Sequence, residues 1–311
     1  MPTWRARINQ LLSVLGIQIV RTGTIRELSK AAQAALEALE ERRIHDRKRV
    51  ITEVLKRGGR GNSYRCIMNR QLVLFPGDSL MMFDHCLHPG ENEPLTYLVE
   101  TRHLDWVCSR LSEGDVAVDV GASGGILSLS FSMAVGSQGR VYTFEPANRA
   151  FGLLQDLIAL NEIDNIVPEK TAISNRTGSV NFAEYKFDIG DEIGWRPEAS
   201  AIESKNIDQA KALTYPVPVT TLDEYFGHHP DRQKIRVVKI DVEGFELEVL
   251  EGSETLIEEI RPDFCIDIHP KIDGNGTTEE AVRNLLSGFG YQFDQLDHVL
   301  VAFQRNLSLT I

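Results

Sequence analysis

Two short stretches concentrate side chains able to do acid–base chemistry. Val238-Lys239-Ile240-Asp241-Val242-Glu243-Gly244 and Phe264-Cys265-Ile266-Asp267-Ile268-His269 are apolar, β-like runs that end on ionisable groups. Asp241 and Glu243 alternate along the backbone, so in extended geometry they share one face. An imidazole with an ordinary pKa of about 6.5 beside carboxylates is suited to removing a proton from a hydroxyl. A histidine at a strand end also has a plainer use, bonding to backbone, and both readings of His269 stand. The same carboxylates and imidazole have the chemistry of a divalent-cation site. Their spacing in sequence gives no tight ligand set, so no resident metal is expected.

A second constellation lies upstream. Val116 to Val120 is an apolar run ending in Gly121-Ala122-Ser123-Gly124-Gly125, and a helix-like segment follows from Ile126. Strand, small-residue turn and helix are how an open α/β sheet makes room for a nucleotide-like ligand. Gly121 would let backbone approach a ligand closely, and Gly125 would allow tight helix packing. Arg140 to Glu145 is a second strand ending on an acid, followed by Pro146. A carboxylate placed there can accept both hydroxyls of a ribose. Asp119 either faces a ligand's amino group or caps the turn through local hydrogen bonds. Asn161 and Ala172-Ile173-Ser174 are placed to border a ligand held there. Lys239 interrupts an apolar strand; a buried ammonium needs a carboxylate partner, so structural pairing is expected of it.

The elements that must hold these residues follow from periodicity. A helix is expected over Glu93–Leu111 and strands over Val116–Val120 and Val141–Glu145. Next come a helix over Ala147–Asn161, a strand over Ile166–Ile173 and an irregular stretch over Ala183–Tyr215. A strand over Ile235–Asp241, a helix over about Glu246–Glu259 and a strand over Phe264–Ile268 complete the alternation. After a helix over Thr277–Leu286, the runs Tyr291–Leu296 and Val299–Phe303 are joined by Asp297-His298 alone, which permits only an antiparallel hairpin. The fold class is therefore α/β, five parallel strands closed by an antiparallel pair with helices on both faces. The long irregular stretch, which carries Trp195 and Tyr215, reads as a lid or binding loop.

Ahead of this lie two smaller pieces. Residues 1–60 read as helical: Trp4, Ile8, Leu11, Leu12 and Leu15 form one stripe, and Thr24 with Glu27 forms a capping box before a long charged helix. These helices could join copies of the chain. Residues 61–92 read as a small antiparallel β element, with Tyr64–Met68 and Leu72–Phe75 as a hairpin and Leu80–His85 as a third strand. The main domain spans 93–311.

Composition narrows the function classes. The 311 residues are 42% hydrophobic and 25% charged, as in an ordinary globular protein. A net charge of −12 disfavours nucleic acid as partner. The four cysteines form no C-x-x-C pair, which points to a reducing, cytoplasmic setting. No apolar run approaches the roughly 20 residues of a membrane span.

Taken in order, Val118-Asp119-Val120-Gly121-Ala122-x-x-Gly125, Phe144-Glu145-Pro146, Thr221-Leu222-Asp223-Glu224, Val238-Lys239-Ile240-Asp241-Val242-Glu243-Gly244-x-Glu246 and Ile266-Asp267-Ile268-His269 resemble the motifs of the FkbM-like family of S-adenosylmethionine-dependent methyltransferases. Ser123 and Gly124 depart from the family's more usual Asn and apolar residue. The resemblance implies a Rossmann-like class I methyltransferase sheet over roughly residues 63–303. It implies S-adenosylmethionine as cofactor, held by Asp119, Gly121, Ala122, Ser123, Gly125, Glu145, Pro146, Ala172 and Asp241. It further implies methyl transfer to a hydroxyl of a sugar, glycoconjugate or secondary metabolite, with Asp241, Glu243 and His269 as the catalytic candidates. Two other classes compete. A nicotinamide-dependent oxidoreductase is disfavoured because the loop lacks G-x-G-x-x-G and no Tyr-x-x-x-Lys is placed beside a site. A non-catalytic cofactor-binding module that works through its N-terminal helices is the third.

Overall fold

The computed structural model describes residues 63–68, 71–76, 87–88, 95–97, 101–189, 192–202, 212–271, 276–296 and 298–304. The helices expected before residue 60 and the strand expected at Leu80–His85 lie outside these residues.

The central sheet has seven strands. These are β5 (Val116–Val120), β6 (Arg140–Phe144), β7 (Ile166–Glu169), β12 (Ile235–Ile240), β13 (Asp263–Asp267), β14 (Gln292–Leu296) and β15 (Val299–Phe303), in the spatial order β14-β15-β13-β12-β5-β6-β7. The β13-β12-β5-β6-β7 run is parallel throughout, and β15 pairs antiparallel with both β13 and β14. This is the α/β class with a closing antiparallel hairpin. Every residue of β5 is buried because apolar clusters cover both faces of the sheet. Val116, Val118, Val120, Val238 and Ile240 face one cluster, while Ala117 and Val237 face the other.

Helices supply those covers. α1 (Thr101–Ser109) and α2 (Ile126–Val135) pack on one face, and α4 (Leu222–Phe226), α6 (Glu254–Ile260) and α7 (Glu279–Gly288) contribute to the cluster on the other. α3 (Asn148–Leu160) follows β6, and α5 (Glu246–Glu251) follows β12.

Several elements differ from expectation. Of the helix expected over Glu93–Leu111, the described residues form α1, while Leu95–Tyr97 is instead strand β4, paired in parallel with β1 (Ser63–Met68). With β2 (Gln71–Pro76) and β3 (Leu87–His88) these form a small sheet in the order β2-β1-β4-β3. The strand expected over Ile166–Ile173 divides: β7 joins the main sheet, whereas β8 (Ala172–Ile173) joins another. The helix expected over Glu246–Glu259 breaks into α5 and α6 at Gly252, where a Cβ would overlap the Ser174 carbonyl.

The largest difference is the stretch expected to be irregular. It forms β9 (Gly178–Ile189), β10 (Glu192–Ile202) and β11 (Ala212–Thr220), which with β8 make a sheet in the order β10-β9-β11-β8. Exposed Pro216 and Pro218 alternate with buried Val217 and Val219, so the period of two survives despite the prolines.

Candidate functional site

The loop joining β5 to α2 is tightly wound. Gly121, Ser123 and Gly125 all have positive φ, at 76°, 51° and 86°. At Gly121 glycine is obligatory for a second reason, since a Cβ would overlap the backbone carbonyl of Asp241. The close approach thus binds the loop to the end of β12. The Asp241 N–H reinforces it by donating to the Val120 carbonyl at 3.0 Å. A Cβ on Gly125 would run into Leu154 of α3, so the expected tight helix contact is present. The amides of Gly121 and Ala122 both donate to the Phe144 carbonyl, at 2.9 and 3.1 Å, so loop and β6 end as one unit.

Glu145 stands where β6 ends and is only 6% exposed. Its Oε2 accepts from the Ser123 N–H at 2.8 Å, and its Oε1 from the Ala147 N–H at 2.8 Å. Burial pushes its carboxyl up to about 7, against the pull of those two amides and of Lys239. The chain therefore spends amide hydrogen bonds to hold a desolvated carboxylate at the mouth of the loop. Each oxygen accepts one amide and retains a further lone pair. Pro146 occupies the turn beside it, partly exposed.

Asp119 is fully buried and is a cross-strand neighbour of Lys239. Its Oδ2 accepts from the Ser128 hydroxyl at 2.5 Å, and its Oδ1 lies 3.1 Å from the Lys239 ammonium. Lys239 also donates to the Gly121 carbonyl at 2.7 Å and lies 3.5 Å from Asp241 Oδ2. Burial disfavours its charge, but Asp119 and Asp241 more than offset that and raise its pKa. Lys239 thus has the structural pairing expected of it. Asp119 acts on the loop through Lys239, with no exposed surface of its own for a ligand.

The third group gathers where β12 and β13 end. Asp241 and Glu243 are about one third exposed, at 34% and 32%. Glu243 is held at φ 55°, an unusual conformation for a residue with a side chain. Its Oε2 lies 3.7 Å from His269 Nε2, and Asp241 Oδ1 lies 3.8 Å from the same nitrogen. His269 Nδ1 is 3.0 Å from Glu246 Oε1. Fully buried Glu246 also accepts from the Gly244 N–H at 2.9 Å and, through Oε2, from the Thr278 hydroxyl at 2.7 Å. Burial disfavours charge on His269. The Glu246 hydrogen bond and the carboxylates of Glu243, Asp241 and Asp267 outweigh it, pushing the ring up to about 9. An imidazolium at neutral pH is the reverse of a ready base, so the proton acceptors left at the site are the carboxylates of Asp241 and Glu243.

The fold therefore joins Gly121, Ala122, Ser123, Gly125 and Glu145 in one loop, and Asp241, Glu243 and His269 in one cluster. The Gly121–Asp241 contact connects the two. Two candidates fall elsewhere. Ala172 is buried in the second sheet, paired with Val219. Asn161 spends its side chain on Leu74, accepting from its N–H at 2.8 Å and donating to its carbonyl at 2.7 Å, so it pins β2 to the end of α3. Glu246 and Thr278 join the cluster around His269, although reasoning from strand ends alone does not find them. The signal for Glu246 was its spacing from Gly244, which lets its carboxylate fold back over the Gly244 N–H. Thr278 carried none.

The chain is similar to known proteins over much of this α/β region. Residues 119–293 match the family described as Methyltransferase FkbM domain. A curated relative, Methyltransferase 1 of Beauveria bassiana (strain ARSEF 2860), is 24% identical over 160 residues, 48% of this chain and 64% of that one. This chain therefore spans slightly less than two thirds of the relative's length. Among solved structures, methyltransferase FkbM from Methylobacillus flagellatus KT is 19% identical, with 62% of this chain and 44% of that one covered and a TM-score of 0.42. Precorrin-6y C5,15-methyltransferase from Geobacter metallireducens GS-15 is 12% identical, with 70% and 95% covered and a TM-score of 0.40. The family match takes in more than half of the chain, from Asp119 at the end of β5 to Phe293 in β14, and the chain belongs to the FkbM methyltransferase family.

Proposed function

We propose that this chain transfers the methyl group of S-adenosylmethionine to a hydroxyl oxygen of a sugar, glycoconjugate or secondary metabolite. The observation that carries the proposal is the junction of two sites. A desolvated carboxylate, Glu145, stands at the mouth of the β5–α2 loop, and the same loop touches the strand end that presents Asp241, Glu243 and His269. The donor set fits the cofactor: Glu145 has lone pairs left for the two ribose hydroxyls, and the partly exposed Asp241 offers negative charge to a cationic ligand. S-adenosylmethionine supplies a methyl group made electrophilic by its sulfonium.

The chain's own residues do the rest. Lys239, tied to Asp119 and to the Gly121 carbonyl, fixes the loop. Glu246 and Thr278 lock the ring of His269 with Nε2 toward Asp241 and Glu243. Glu243 takes the hydroxyl proton as the oxygen is aligned for in-line attack. The acceptor class rests on the family resemblance.

The test is a cell extract incubated with the enzyme and methyl-deuterated S-adenosylmethionine, read by mass spectrometry. A labelled, hydroxyl-methylated product supports the proposal. Label appearing only on nitrogen or carbon, or on no compound, refutes it.

A further inference from the structure

We infer that Asp241, Asp267 and His269 form a binding site for one divalent cation of the Mn²⁺ or Mg²⁺ class at the acceptor end of the sheet. One ligand atom from each of these three residues lies within 4.8 Å of the other two. They come from the ends of two adjacent parallel strands, so the backbone register brings together what the sequence separates. Two carboxylates and one imidazole suit a hard to borderline divalent ion, and three protein ligands leave positions open for water or a hydroxyl.

The arrangement behind the ligands is the second observation. Each candidate also has one polar atom near another protein group. His269 Nδ1 is held by buried Glu246, Asp241 Oδ2 faces Lys239 at 3.5 Å, and Asp267 Oδ2 faces His298 Nε2 at 3.4 Å. A carboxylate behind the metal-facing histidine is part of the outer shell that metal sites use to fix such a ligand. The gap within the cluster agrees. His269 Nε2 is 3.8 Å from Asp241 Oδ1, too long for a hydrogen bond but within the separation that two ligands of one ion can have.

The ion's role, though not its presence, rests on the proposed methyl transfer. Held there, the ion would lower the pKa of an acceptor hydroxyl, and Glu243, 3.7 Å from His269 Nε2, would take its proton. The new O–C bond forms as the S–C bond of S-adenosylmethionine breaks, with the bonding pair returning to sulfur.

The test uses the full-length chain stripped with chelator and titrated with Mn²⁺, followed by loss of the free-ion electron paramagnetic resonance signal. One bound Mn²⁺ per chain is expected, displaced by excess Mg²⁺ and weakened about tenfold or more by Asp267→Asn or His269→Ala. Pulsed resonance on the unaltered protein should show nitrogen coupled directly to Mn²⁺, a readout that needs no variant to fold. Absence of binding overturns the inference, as does bound Mn²⁺ without nitrogen coupling or with affinity unchanged in both variants. A parallel titration of the stripped chain with S-adenosylmethionine keeps the two proposals apart. Loss of that binding removes the donor and leaves the ion site standing, whereas loss of Mn²⁺ binding does the reverse.

Discussion

Glu145 carries the sharpest residue-scale consequence. Its folded pKa of about 7 lies above the ordinary 4.5, so the folded state holds its proton more tightly than the unfolded chain does. The stability this contributes is complete below about pH 4.5 and is lost as the pH rises through about 7, a swing on the order of 3 kcal/mol. Glu145→Gln mimics the protonated form and should flatten that part of a plot of melting temperature against pH; an unchanged slope would contradict the assignment. The position of Glu145 was legible because the apolar run before it marks the strand that it ends. The state of His269 was not. Its raised pKa depends on Glu246, Glu243, Asp241 and Asp267, which fold together from separate elements, and a lone histidine in sequence retains its ordinary value. Glu246→Gln keeps the size of the side chain but removes the charge behind the ring. It should lower the pKa of His269, measurable by titrating the ring's NMR signals, and an unmoved midpoint would show that Glu246 does not hold the proton there.

At the scale of elements, the Thr221-Leu222-Asp223-Glu224 motif turns out to be a clamp. Thr221 caps α4 by accepting from the Glu224 N–H at 2.9 Å, and the Asp223 carboxylate accepts from the Thr255 and Leu256 N–H groups at 2.8 and 2.7 Å, capping α6. Asp223→Ala should cost about 1–2 kcal/mol in denaturant unfolding, and no loss would mean the cap is dispensable. Gly121→Ala should cost more, about 3 kcal/mol, because it adds a left-handed strain to a clash with the Asp241 carbonyl. The alternation of strands and helices from Val116 to Phe303 was readable because long apolar periods and Gly-rich turns are local signals. The β9–β11 sheet was not. Gly190, Gly194, Pro197, Pro216 and Pro218 punctuate it as they would a loop, and pairing between distant strands supplies the order that local propensity lacks. The division of Ile166–Ile173 between two sheets was equally hidden, since a period of two reports a strand but never its partner.

At the scale of the whole molecule, the strand order β14-β15-β13-β12-β5-β6-β7 puts β5 and β12 side by side at the centre. The two loops that leave their carboxyl ends therefore meet, and there the Gly-rich turn touches Asp241. The proposed function puts the cofactor at that junction, which makes donor binding the claim on which the rest depends. Calorimetric titration of the purified chain with S-adenosylmethionine tests it most directly. Saturable heat for one site is expected, with affinity reduced roughly tenfold or more in Glu145→Ala, in keeping with the loss of a charged hydrogen bond. No heat from S-adenosylmethionine or from its demethylated product, or the same affinity in Glu145→Ala, would contradict the account.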